Sequence, residues 1–444
     1  MKKPILSRRD FVKKASLASG LLILPSGFLR GQTAPSSKVN VAGIGVAGMG
    51  AGDIQGINGT KGANIIGLCD VDSQRLKNAQ GRYPGAAIFA DYREMLDKLG
   101  DKIDAVSVST PDHTHFTAAY EAIQRGKHVY VQKPLCHTVD QVRRLTALAV
   151  EKKVVTQMGN QGSSSAHLRT AKEWYDLGLL GDVSLVDAWS DRPKGGGWPQ
   201  GMKKFPPTKA PPSTLDWKLW LGPVADRQYS PELHPFKWRG YYDYGCGALG
   251  DMAIHLMYDA YFVLDLTAPT KIEVDVPDKS EIAFPTASTV TFHFPANDKR
   301  GPVKFVWRDG GRKPDVPGTA IGGNGSLLHG KNFVLSLSGW GQIFQPLVSN
   351  DERARLVLEG NKIKGKYPRF APHYKSWIDS IRKGTAVASD FRTAGPFAEI
   401  ILLGVIAQRV GRTLNWDSKA GLFINDPEAN RLLKAAQPTA GFLA

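Results

Sequence analysis

An apolar run, Val39 to Val46, passes into Gly43-Ile44-Gly45-Val46-Ala47-Gly48-Met49-Gly50. A G-x-G-x-x-G spacing at the end of a strand and ahead of a helical pattern restricts the fold more than any other stretch of this chain. The glycines permit a tight turn and close backbone approach, so that the amides of about Ala47 to Met49, together with the helix dipole, can face a pyrophosphate. Asp70 closes the next apolar run 22 residues after Gly48. A ribose 2′-hydroxyl needs an acceptor there, and the same carboxylate repels a 2′-phosphate, which favours NAD over NADP. The expected nucleotide site therefore includes Gly43, Gly45, Val46, Ala47, Gly48, Met49 and Asp70. Arg75 either stacks on adenine or decorates a helix.

Around this turn, apolar runs alternate with helical patterns as βαβ units require. Val39–Val46, Asn64–Cys69, Ile103–Ser109, His128–Val131 and Val154–Gly159 read as buried strands. Phe116–Ile123 and Val139–Val150 carry helical periodicity, as does the stretch around Met95-Leu96. Beyond residue 160, after a helix Leu168–Asp176, strands follow strands: Val183–Trp189, Lys271–Val276, Ser288–Phe294 and Val303–Trp307. The expected fold is a Rossmann domain with a parallel sheet over 35–160, then an α+β domain with a largely antiparallel open sheet over 161–372. A helical segment over 373–444, helical from His373 to Gly411, packs on the body. An exposed sheet face favours self-association, as a homodimer or homotetramer. The stretch Arg192–Pro223, rich in Pro, Gly and Trp, is too long for a connector and reads as a binding loop.

The first 34 residues read as a leader. Ser7-Arg8-Arg9-Asp10-Phe11-Val12-Lys13 precedes a mildly apolar stretch, Ala15–Leu29, and resembles a twin-arginine export signal. Seven basic residues against Asp10 in this leader account for part of the net charge of +16, leaving +10 on the rest. That charge is scattered and not interleaved with aromatics, so nucleic acid is not an expected partner. No later run of about 20 continuous apolar residues is evident, so no membrane span is expected. Cys69, Cys136 and Cys246 fit neither a disulfide framework nor a metal knuckle, and no metal site is expected. An exported protein of this kind works in the periplasm or beyond it.

Two further segments, Val106–His115 (VSVSTPDHTH) and Lys127–Leu135 (KHVYVQKPL), resemble strand-end motifs of the glucose-fructose oxidoreductase/inositol dehydrogenase/rhizopine catabolism family, Gfo/Idh/MocA. The resemblance covers essentially the whole chain after the leader. It implies that Thr110, Pro111, His113 and His115 border the nicotinamide ribose, and that Lys133 reaches nicotinamide and substrate. It also implies that Asn160 and Gln161 line the cofactor. The family's Glu-Lys-Pro reads Gln132-Lys133-Pro134 here. Residues alternate along a strand, so Gln132 and Lys133 should face opposite sides.

Trp238–Asp259 (WRGYYDYGCGALGDMAIHLMYD) places Asp251 and His255 four residues apart on one helix face. It resembles the family's Asp-x-x-x-His motif, which with the lysine forms the acid/base group. Taking a hydride from a carbinol carbon requires the hydroxyl proton to leave, and imidazole accepts a proton near neutral pH. His255 is the expected general base, Lys133 holds the hydroxyl, and Asp251 orients His255 or binds a neighbouring hydroxyl. Trp198, Trp238, Arg239 and Tyr242 are candidate sugar contacts, since aromatic faces stack on pyranose rings. Three functions remain open: a sugar or glycoside dehydrogenase with tightly bound NAD, a glycoside hydrolase using NAD transiently, or a non-catalytic binder.

Overall fold

The computed structural model describes residues 38–194, 198–316, 320–338, 344–436 and 442. The leader expected over 1–34 lies outside the described residues.

Six parallel strands form the first sheet: β1 (Val39–Ile44), β2 (Ala63–Cys69), β3 (Ala87–Phe89), β4 (Ala105–Val108), β5 (His128–Val131) and β6 (Thr156–Met158). Their order is β3-β2-β1-β4-β5-β6, so the winding reverses between β1 and β4. A crevice opens at such a reversal, outside the carboxyl ends of the strands. Ile44 pairs with Val108, which brings the loops beginning at Gly45 and Ser109 to one edge. Strand β3, two of whose three residues are half-buried, carries too weak an apolar signal to be expected from sequence.

The second sheet has nine strands. It comprises β7 (Val183–Ser190), β8 (Lys271–Asp275), β9 (Thr289–Phe294), β10 (Val303–Arg308), β11 (Asn324–Gly330), β12 (Val334–Leu337), β13 (Phe344–Pro346), β14 (Leu414–Asp417) and β15 (Leu422–Phe423). They run in the order β13-β12-β11-β7-β10-β9-β8-β14-β15. Pairing is antiparallel except between β7 and β10. Val186, Ala188, Phe292, Phe305 and Trp307 turn to the core on its inner face.

The C-terminal helical stretch consists of two helices: His373–Lys383, ended by Gly384 at φ 69°, and Phe391–Val410. They serve different sheets. Trp377 and Ile378 of the first pack with Val39, Val41, Ala105 and Tyr130 of the parallel sheet. The second enters the main core, where Gly404 lies so close to Phe292 that an added Cβ would stand 2.6 Å from its ring. By length and composition this 20-residue helix could cross a membrane, with an 18-residue window of mean hydropathy 1.3, but 72% of that window is buried inside the protein. Its apolar faces are satisfied by the fold itself.

Candidate active site

The glycine turn occupies Gly45–Gly48, between the end of β1 at Ile44 and the start of the helix Met49–Gly59. Gly45 (φ +80°) and Gly48 (φ +53°) hold backbone conformations that side chains disfavour. A Cβ on Gly48 would meet nothing within 4 Å, so the cradle before the helix is open, whereas one on Gly50 would stand 2.0 Å from the Gly45 carbonyl oxygen. Gly43 sits inside β1, where an added Cβ would strike Ile54. It packs strand on helix and does not line the cleft. Val46 is likewise buried, and its amide donates to Asp70 at 3.0 Å.

A cleft of about 790 Å³ opens from this turn. At one end Gly45, Ala47, Gly48, Met49, Asp70, Arg75, Asp91, Tyr92 and Phe442 line it; at the other stand Thr110, Pro111, Asp112, Lys133, Arg192, Trp198, Trp238, Arg239 and Asp251. Asp70 accepts the amides of Val46 and Asp72, and burial pushes its pKa above the usual carboxylate value. Arg75 lies 3.5 Å from Asp72. Two buried polar atoms near the far end, Thr110 Oγ1 and Asn160 Nδ2, have no hydrogen-bond partner among the described residues. Buried polar groups are seldom left so, and a carboxamide or ribose hydroxyl in the cleft would satisfy Thr110, which lines it. The open cradle, the acceptor at Asp70 and the Thr110 hydroxyl at the cleft wall together fit NAD.

Lys133 and Asp251, 118 residues apart, meet at this far end: Nζ lies 2.5 Å from Oδ1. Arg192 Nη1 reaches the other oxygen at 3.4 Å and Arg239 Nε stands 3.8 Å from Oδ1. Burial raises the Asp251 pKa, but Lys133 and Arg239 more than offset it and hold the carboxyl below its ordinary value. Asp251 lies in a π-helical turn, Leu249–Ala253, and His255 in the helical turn that follows. His255 is 6% exposed and stands behind the cleft wall, with Nδ1 at 3.3 Å from Asn160 Oδ1. Read as Nδ1–H donating to that oxygen, this contact assigns the ring proton to Nδ1. Burial, then the Lys133 charge, lowers its pKa to about 3, so the ring is neutral.

Several expected contacts lie elsewhere. The ring nitrogens of His113 lie 3.3 and 2.9 Å from the Tyr244 and Trp220 carbonyl oxygens, and those of His115 2.8 and 2.9 Å from the Pro134 and Thr110 carbonyls. Both are buried clamps that shape the wall instead of lining it. Tyr242 is packed against Phe284 and under Arg409, away from the cleft. Asn160 touches His255, and Gln161 Nε2 stands 3.5 Å from the Tyr130 hydroxyl; neither lines the cleft. Conversely, Asp112 and Arg192 are cleft residues that sequence reasoning passed over. Asp112 accepts the Cys246 amide at 3.0 Å, and burial raises its pKa to about 6. It sits inside the quoted VSVSTPDHTH segment, and Arg192 opens the Pro/Gly/Trp-rich loop.

The glutamine in place of the family's glutamate has a local cause. Gln132 Nε2 donates to both oxygens of Asp53, at 3.0 and 2.9 Å, while its Oε1 accepts the Lys133 amide. Asp53, fully buried on the helix after the glycine turn, also receives Ser109 Oγ at 2.7 Å and the Tyr374 hydroxyl at 2.8 Å. A glutamate at 132 would set two carboxylates together away from water, tolerable only if they share a proton. In Gln132→Glu that proton is held by the folded state above the ordinary carboxyl pKa. The variant is therefore expected to keep its stability near about pH 4 and to lose roughly 3 kcal/mol as pH rises toward about pH 8. Thermal melts of both proteins across that range check this, and parallel curves contradict it.

The sheet order, the glycine turn at its reversal and the acid-base cluster at the far end of the same cleft define an NAD-binding oxidoreductase of the Rossmann class. The profile of the oxidoreductase family with NAD-binding Rossmann fold, Gfo/Idh/MocA, matches residues 39–160, and the profile of its C-terminal α/β domain matches 195–308 and 341–440. The chain belongs to this family. It is 32% identical over 152 residues to inositol 2-dehydrogenase 1 of Saccharopolyspora erythraea, covering 34% of this chain and 44% of that protein. Over 155 residues it is 32% identical to a glycosyl hydrolase family 109 protein of Solibacter usitatus, covering 30% of this chain and 34% of that one. Both matches thus span less than half of the relative. Among solved structures, the WlbA dehydrogenase of Bordetella pertussis with NADH and UDP-GlcNAcA is similar at TM-score 0.61 and 14% identity, covering 87% of this chain and 99% of that one. An inositol dehydrogenase homolog of Azotobacter vinelandii with NADH and myo-inositol is similar at TM-score 0.54 and 14% identity, covering 86% and 99%. These likenesses establish the fold.

Proposed function

We propose that the protein oxidises a ring hydroxyl of a sugar or glycoside by hydride transfer to a tightly held NAD. The observation that carries this reading is the 2.5 Å contact of Lys133 with Asp251 in the cleft that begins at the glycine turn. NAD, when bound, supplies the hydride acceptor; the Gly45–Gly48 turn, Asp70 and Thr110 would hold it. Lys133 then binds the reacting hydroxyl and stabilises the charge that develops on its oxygen, and Asp251 keeps the ammonium in place. His255, neutral and immediately behind the wall that carries Asp251, is the proposed acceptor of the hydroxyl proton in the substrate-bound protein. Carbinol becomes ketone, and the two electrons leave with the hydride. The choice of NAD over NADP rests on Asp70.

The leader supports export with the cofactor already loaded, and little free NAD is at hand outside the cytoplasm. The nucleotide then stays bound and is recycled by a second, carbonyl substrate. Similarity to family 109 proteins favours one alternative, glycoside cleavage through transient oxidation of the sugar. Mixing purified protein with a glycoside panel while following NADH absorbance and product mass separates the two. A keto-sugar with NADH formation is the expected result. Free monosaccharide without net redox change indicates the hydrolase, and a protein that carries no nucleotide and needs millimolar NAD contradicts tight binding.

A further inference from the structure

Charge at the substrate end of the cleft does not balance. Lys133, Arg192 and Arg239 all lie within 4 Å of Asp251, which has one negative charge to share. The second carboxyl there, Asp112, is engaged by the Cys246 amide and, with its pKa raised only to about 6 by burial, is mainly ionised at neutral pH, so two carboxylates face three cations. The nearby imidazoles of His137, His234 and His255 have pKa values lowered by burial and supply neither sign. Asp70, Asp72 and Asp91 stand at the nucleotide end with Arg75 and Arg93. Oxidised nicotinamide would add a further positive charge.

The two guanidinium groups are also held in a particular way. Arg239 lies over both the Phe236 and Trp238 rings, 4.3 Å from each centroid, and it and Arg192 stand 5.9 and 5.6 Å from the Trp198 ring. Aromatic faces fix each guanidinium plane; Arg239 Nη1 donates to the Phe236 carbonyl at 3.1 Å and Arg192 Nη1 meets Asp251 and Met252, so an anion would take the remaining N–H groups of each fork. Arg192 is 39% exposed, so its edge is reachable from the cleft.

We propose that the substrate is an anionic sugar, whose carboxylate or phosphate group is taken by Arg192 and Arg239 while Lys133 and Asp251 hold a hydroxyl beside it. The anionic group is a spectator in the redox step, which keeps the balance given above. It also tunes that step: Lys133 and Arg192 are among the charges that depress the basicity of His255, and an anion set against them relieves this. The inference rests on the dehydrogenase reading.

The test uses the holoenzyme and three matched probes: methyl hexosides, the corresponding methyl hexuronides, and hexose phosphates. At least one anionic sugar should exceed its neutral counterpart in kcat/KM by on the order of 100-fold, a charged, bidentate contact being strong. Its KM should rise with ionic strength, and Arg192→Gln should cut the preference to under about tenfold, with Arg192→Lys in between. A uronide or a phosphate as the better probe identifies the anion. Preference for neutral sugars, or an Arg192→Gln protein that keeps the full preference, overturns the proposal while leaving the dehydrogenase reading intact. Failure of every sugar to reduce bound NAD overturns both.

Discussion

Lys133→Met is expected to lower the rate of NADH formation by about 10³-fold while leaving the nucleotide bound. The side chain keeps its length and apolar stem but loses the ammonium that would hold the reacting oxygen. Asp251 is not stranded, because Arg192 and Arg239 still stand within 4 Å of it. Loss of activity would therefore come from the chemical step, not from an unpaired buried charge. Rapid mixing with a sugar substrate measures it; a drop confined to KM would reduce Lys133 to a binding group.

Gly50→Ala is expected to fail for a different reason. The added Cβ would lie 2.0 Å from the Gly45 carbonyl oxygen and 2.8 Å from its carbon, both backbone atoms of the turn. Nothing there can rotate away, so the helix Met49–Gly59 must lift off the turn. Alanine's helix preference is worth about 1 kcal/mol, and a clash of this kind costs about 3 kcal/mol, so the variant loses stability. With the turn opened, nucleotide affinity should fall on the order of 100-fold. Gly52 provides the control: a Cβ there meets nothing within 4 Å. Gly52→Ala should stabilise by about 0.5–1 kcal/mol and bind as the parent does. Melting curves and nucleotide titration of the pair distinguish steric damage at the turn from a general intolerance of the helix.

Much of the frame was legible because it rests on strong periodicity. The parallel strands that flank the crevice are mainly apolar runs, each with a single polar residue (Asn40, Ser107), and the bounds His128–Val131 agree with the sequence reading. The G-x-G-x-x-G spacing puts Gly43 on β1 and Gly45 and Gly48 at the two ends of the turn. Strands β11 to β13 escaped notice. Asn324–Gly330 has a glycine at each end of a short Ser-Leu-Leu-His stretch, and its place is set by β7 rather than by its own pattern.

Site residues divide in the same way. Lys133, Asp251 and Asp70 stand in motifs whose spacing carries their geometry. His113 and His115 stand in an equally suggestive segment, yet carbonyls from the far side of the wall claim their rings, and no local pattern can register such tertiary partners. Arg192 had the opposite fate. It carries no motif, and only the folding of β7 beside the π-helical turn brings it to Asp251. Gln132 made sense only once Asp53 was seen opposite it, 79 residues away in the chain.

The convergence of Lys133 and Asp251 on a held nucleotide is tested most directly by a single turnover of the purified holoenzyme with an excess of sugar, read as NADH absorbance per chain. The account predicts close to stoichiometric reduction of the bound nucleotide in the parent protein and a rate about 10³-fold slower in Lys133→Met at equal nucleotide content. Reduction at the parent rate in Lys133→Met, or bound NAD that no sugar reduces, would contradict it.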